Sequence, residues 1–290
     1  MNETNWGRWG DTDEAGSPNL IGSAQVLAGL SLARRGKVIK LGMELGPGTA
    51  VPPHRKRPER FMTRDGGDYA AGARRPGGFQ FAEEVWSFAA HSGTHIDALA
   101  HAWAGDYLYN GFPGKATRST TGAMRCGADK LVSMITRGVL IDLVGPGPAL
   151  GPTEAASADR LKAVCATTGV WPRKGDVVLI RTGWLGHAGD DAPRYFQSEP
   201  GIDESAAVWL ASADVAAVGA DNYAIEVQPS QEGTMFPVHQ ILIRNYGVPL
   251  IEGVVLDELA GEAAAEFCFI TSPIPLTGGT ASPVCPLAVL

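Results

Sequence analysis

Several features are missing from this chain of 290 residues, and each absence excludes a class of protein. No run of about 18 apolar residues occurs, so no membrane-spanning helix is expected. The opening stretch Asn5-Trp6-Gly7-Arg8-Trp9-Gly10 is polar and aromatic, without a basic segment followed by an apolar one, and no secretory signal is expected. Cysteine is scarce. Cys126, Cys165, Cys268 and Cys285 are far apart and form no Cys-x-x-Cys pair, which argues against a disulfide framework and for a reducing cytoplasm. Cys268, between Phe267 and Phe269, reads as a buried thiol. A basic surplus is missing too: 24 Lys and Arg against 31 Asp and Glu leave a net charge of −7, which argues against nucleic acid as a partner. The His-Glu-x-x-His, Gly-x-Ser-x-Gly and P-loop signatures are absent, as are internal repeats, heptads and low-complexity blocks.

What is present is a globular composition, 44% hydrophobic and 19% charged. Gly 37 and Pro 20 are high and imply many shaped turns. No composition shift marks a linker, so residues 1–290 are expected to form a single domain with an N-terminal aromatic arm at 1–21. Residues 22–35 read as a helix stopped by Gly36, and the Pro- and Gly-rich stretch 45–80 reads as a long loop. Strands are expected at Val38–Leu41, Val85–Ala89, Val139–Val144, Val177–Arg181, Val215–Gly219, Leu250–Leu256 and Phe267–Thr271. Helices are expected near 157–168, 203–213 (with Asp203 as N-cap) and 238–246. The mixture without a strict β-α-β rhythm predicts an α/β or α+β domain with a mixed sheet.

The sharpest chemical feature is His91-Ser92-Gly93-Thr94-His95-Ile96-Asp97-Ala98-Leu99-Ala100-His101. Imidazole and carboxylate together are ligands for zinc, manganese or iron. On a continuous helix, at about 100° per residue, Asp97 would point away from His91 and His95. On a strand, 91, 95, 97 and 101 share one face. Fully extended, however, His91 and His95 would stand about 13 Å apart, too far to meet one ion. The chain must therefore bend, and Gly93 is the residue freest to do so. Thr94 is then in position to hydrogen-bond a ligand side chain.

This segment resembles the His-x-Gly-Thr-His-x-Asp-x-Pro-x-His motif of the cyclase family, which includes bacterial kynurenine formamidases and isatin hydrolases. Leu99 stands where that motif has proline. The resemblance continues in His239, in Glu252 within Leu250-Ile251-Glu252-Gly253, in the arm Asn5 to Gly10 with Asn19-Leu20-Ile21, in Gly175-Asp176, in Arg181-Thr182-Gly183-Trp184, and in Gly219-Ala220-Asp221-Asn222. It implies an α/β fold, the family's mixed-sheet swivelling β/β/α domain. It also implies that His91, His95 and Asp97 bind one metal, that Asp97, His239 and Glu252 hold a second where two are bound, and that His101 transfers protons. The cofactor implied is divalent Zn or Mn, one or two ions per chain. The activity implied is hydrolysis of an amide or cyclic amide of a small aromatic or heterocyclic substrate by metal-activated water. A lactone hydrolase, a polyketide-type cyclase and a non-catalytic metal-binding protein are the alternatives. By the same likeness a homo-oligomer is expected, a dimer or tetramer, with the aromatic arm as a candidate for crossing to a neighbour.

Trp9 and Trp103 are candidates for walls of a substrate pocket, Trp103 because it follows His101 by two and would face the same side. His54 and His187, in polar surroundings, read as surface residues, and the basic cluster Arg55-Lys56-Arg57 reads as a solvated run, with attraction of an acidic substrate as the alternative.

Overall fold

The computed structural model describes residues 3–190 and 192–290. Its strands, in chain order, are β1 (Val38–Lys40), β2 (Glu59–Arg64), β3 (Glu83–Ser87), β4 (His95–Asp97), β5 (Thr117–Arg118), β6 (Gly122–Ala123), β7 (Met134–Asp142), β8 (Ala155–Ala156), β9 (Val177–Arg181), β10 (Gly201–Ile202), β11 (Ala217–Ala220), β12 (Leu250–Glu252), β13 (Glu266–Thr271), β14 (Ala281–Pro283) and β15 (Leu287–Val289). Nine of them form one sheet in the order β1-β15-β13-β7-β9-β11-β12-β4-β14. The central run β7-β9-β11-β12 is parallel, and the strands flanking it on both sides pair antiparallel. This is the mixed α/β sheet expected from the sequence.

The central strands are apolar on both faces because both faces are covered. Along β9, Val178 and Ile180 enter one core with Leu161 and Leu210 of the helices Ala158–Thr168 and Glu204–Ser212. Val177 and Leu179 enter the other, with Phe267, Phe269, Ile96 and Leu259. The alternation is the two-residue period of a strand. Asp203 caps its helix by accepting the Ala206 backbone N–H, as the sequence suggested.

Several expectations need correction. The first helix spans Ser23–Leu30 only; the Ser31 hydroxyl donates to the Ala28 carbonyl, 2.7 Å away, and competes with the helical pattern. The stretch 45–80 is not all loop, since β2 pairs with β3 as a hairpin and a short helix spans Gly66–Ala70. The expected strand Leu250–Leu256 stops at Glu252, because Gly253 adopts φ +63. After Pro237–His239 the helical segment continues as a wider π-helix, Gln240–Asn245. Within the chain, the N-terminal arm is bonded to the body of the fold. Trp6 Nε1 donates to the Arg244 carbonyl at 2.8 Å, Arg8 pairs with Asp214, and Asp13 accepts the Tyr109 hydroxyl. Among the described residues no helix is long and apolar enough to cross a membrane.

Candidate metal centre

Three neighbouring strands bring the candidate residues together. In β4, His95 and Asp97 project from the same face, two residues apart. Glu252 in β12 lies opposite His95 in the antiparallel register, and Asp97 lies opposite Ala281 in β14. Gly93 makes the expected bend, with φ +62, and so returns His91 from the turn after β3 towards Asp97. His239 comes from the other side of the sequence, at the end of Pro237–His239.

Nδ1 of His91 is 2.8 Å from Oδ1 of Asp97, and Nε2 of His95 is 3.5 Å from the same oxygen. His95 Nε2 lies 3.2 Å from Glu252 Oε2, and His239 Nε2 lies 3.3 Å from Oε1. His239 and His101 approach the second oxygen of Asp97 at 3.9 and 3.8 Å. Atoms each about 2 Å from a common ion are no more than about 4 Å from one another. Two overlapping triads come near this spacing: His91, Asp97 and His101, and His95, Asp97 and Glu252, each with its ligand atoms within 4.8 Å of one another. Asp97 belongs to both.

The side chains fit a cation for a second reason. His91 Nδ1, His95 Nε2 and both carboxylate oxygens of Asp97 are buried without a hydrogen-bond partner. The short contact between His91 and Asp97 is not aligned as a hydrogen bond. Polar atoms buried in this way are costly unless something else satisfies them, and two nitrogens with two carboxylate oxygens are the donor set of a divalent ion. The outer nitrogens are occupied. His95 Nδ1 faces the Gly93 carbonyl at 2.9 Å, His91 Nε2 faces Thr280 Oγ1 at 3.1 Å, and His239 Nδ1 faces Glu226 Oε1 at 2.6 Å. A carbonyl or carboxylate on Nδ1 holds the proton there and leaves Nε2 of His95 and His239 to face the cluster.

The electrostatics follow from burial and neighbours. Burial would raise the Asp97 carboxyl, yet the His101 and His91 imidazoles hold it well below the usual carboxylate range. Burial and the Asp97 charge push Glu252 up, but His239 and His95 outweigh them and lower it. Burial depresses His101 to about 4, against the pull of Asp97, so its imidazole is neutral at pH 7. Burial would also depress His239, but the carboxylates of Glu226 and Glu252 raise it to about 10. A cation at Nε2 would displace that proton.

Other expectations are redistributed. Thr94 does not touch a ligand side chain; its hydroxyl accepts the Met43 N–H at 2.8 Å and donates to the Gly253 carbonyl at 2.6 Å, tying the bend to the residue after Glu252. Leu99, in the place of the motif proline, is buried in the core. A small cavity of about 20 Å³ adjoins His91, His95 and Glu252, and is walled by Arg55, Tyr195, Phe196 and Tyr223. Trp9 and Trp103 are not among its lining residues; Trp103 is exposed beside Gly114, and Trp9 lies under the Arg8 guanidinium. His54 is exposed, and His187 is half-buried against Trp184.

The sequence reading missed two contributors. Glu226 lies between Ile225 and Val227, the same signal of a carboxylate in an apolar run that marked Glu252. Arg55, expected in a solvated run, is half-buried: its Nη1 donates to the His91 carbonyl and its guanidinium lies over the Tyr223 ring, 5.2 Å from the centroid.

The Cyclase family model matches residues 39–227. The chain belongs to the cyclase family. A crystal structure of a novel cyclase superposes with a TM-score of 0.93 at 32% identity, over 99% of this chain and 100% of that chain. An isatin hydrolase bound to the product analogue thioisatinate gives a TM-score of 0.66 at 24% identity, over 93% of this chain and 99% of that chain. Isatin hydrolase A from Ralstonia solanacearum gives 0.67 at 20% identity, over 91% and 95%. At those identities the two hydrolases share the fold of this cyclase-family chain. None of the curated proteins matches it.

Proposed function

We propose that this cyclase-family protein is a metal-dependent hydrolase that opens an amide or cyclic amide. The observation that carries the reading is the set of buried, unpartnered nitrogen and oxygen atoms of His91, His95 and Asp97 facing one another. On this reading His91, His95 and Asp97 would hold one divalent ion, Zn or Mn, and Asp97, His239 and Glu252 a second where two bind. Such an ion supplies a water acidified to a pKa of about 7 and a Lewis acid for a carbonyl. His101, with a neutral imidazole, accepts a proton from the attacking water at a ring nitrogen and returns it to the leaving nitrogen. Glu226 keeps His239 in the tautomer that presents Nε2. Phe196 also lines an outer cavity of about 560 Å³, with room for a small aromatic substrate, and the isatin hydrolases of the same fold act on a compound of that kind.

The test is turnover of N-formylkynurenine, isatin and a lactone panel by protein loaded with Mn or Zn, with and without a chelator. Chelator-sensitive opening of an amide is the expected result. Opening of lactones alone would contradict the amide assignment. We also take 1–290 to act as a single domain.

A further inference from the structure

Arg55 stands where two cavities meet. It lines the small one beside His91, His95 and Glu252, and also an outer one of about 560 Å³. Pro52 and Phe196 line both, and Arg57 lines the outer cavity. Among the described residues no carboxylate pairs with Arg55 or Arg57; the contacts of Arg55 are the His91 carbonyl and the Tyr223 ring. A half-buried guanidinium without an anion is costly, because part of its hydration is lost and no ion pair replaces it. It carries five N–H donors, and the His91 carbonyl takes one. The rest of the fork matches a carboxylate, which a guanidinium binds through two parallel bonds. The adjoining wall is aromatic. Phe196 meets Tyr223 edge to face at 5.1 Å between centroids and meets Tyr195 at 4.9 Å, a surface suited to a planar ring.

We propose that Arg55, with Arg57 behind it at the outer cavity, receives the anionic group of an aromatic carboxylate and thereby sets the substrate class of the site. The assignment of that acid as a substrate rests on the hydrolase reading above; the anion subsite itself rests on the unpaired guanidinium and the cavities. The outer cavity collects the anion, and Arg55 holds it beside the histidine cluster.

Benzoate and benzamide have nearly the same shape and differ in charge, and equilibrium titration of the Mn-loaded full chain with each tests the proposal. Benzoate is expected to bind at least about tenfold tighter, as a charge-assisted pair would give. Arg55→Gln is expected to abolish the preference while leaving bound Mn, measured by elemental analysis, at the wild-type level. Arg55→Lys, which keeps the charge and one donor, is expected to retain part of it, and Arg57→Gln to weaken it. Benzoate bound no tighter than benzamide in the wild type, or a preference that survives Arg55→Gln, overturns the proposal. A benzoate preference lost with Arg55→Gln, in a protein that hydrolyses no amide, supports the subsite and sinks the proposed reaction instead.

Discussion

Glu226 and His239 are joined twice: one carboxylate oxygen accepts the His239 backbone N–H at 2.9 Å and lies 2.6 Å from the ring Nδ1. The same carboxylate accepts the Val238 N–H at 3.1 Å, so it fixes both the backbone and the ring that carries Nε2 to the cluster. Glu226→Gln keeps an oxygen for the backbone but removes the charge that holds the Nδ1 proton. Metal affinity in chelator competition is expected to fall about 10- to 100-fold, with the fold retained.

His101 is expected to separate holding a metal from using it. His101→Ala should keep most bound metal by elemental analysis and lose at least about a hundredfold in kcat. Its ring nitrogen also satisfies the spacing of a triad with His91 and Asp97. Loss of metal in this variant would therefore reassign His101 as a ligand.

Thr94 links the metal-bearing bend to the end of β12 through one hydroxyl. Thr94→Val leaves the Met43 N–H and the Gly253 carbonyl without that partner. A loss of about 1–3 kcal/mol is expected in urea unfolding. Metal affinity should weaken with it, because Glu252 is the residue before Gly253.

Far from the site, Arg137 in β7 donates two hydrogen bonds to Asp176, at 3.1 and 2.6 Å, with both side chains buried. Burial pushes the Asp176 carboxyl up while Arg137 pulls it down. Asp176→Asn would leave the guanidinium with Glu266, 2.9 Å away, as its remaining carboxylate, and about 1–3 kcal/mol of stability is expected to be lost. Metal content per folded chain, measured by elemental analysis, should not change.

The sequence carried most of the sheet, since β9 and the other central strands are apolar on both faces and short enough to read as strands. It carried β3, expected at Val85–Ala89, but not its hairpin partner β2, because all six β2 residues are exposed and no buried face imprints a period on Glu59–Arg64. The bend at Gly93 and the shared face of His95 and Asp97 followed from spacing alone. Glu226 and Arg55 did not, because their roles come from contacts across 13 and 36 residues. The apolar neighbours Ile225 and Val227 mark Glu226 as a buried carboxylate, but nothing local says that it orients a histidine. A guanidinium beside a cavity likewise looks, in sequence, like one in water. The walls of the small cavity were hidden for the same reason: Trp103 is near the motif in sequence, whereas Tyr195, Phe196 and Tyr223, about a hundred residues on, are near it in space.

Anomalous X-ray diffraction from crystals of the Mn-loaded protein tests the central claim most directly. The account predicts a peak between His91 Nδ1, His95 Nε2 and Asp97, lost in His91→Ala and Asp97→Ala. No peak after soaking in Mn and Zn, with these side chains turned away from one another, would contradict it.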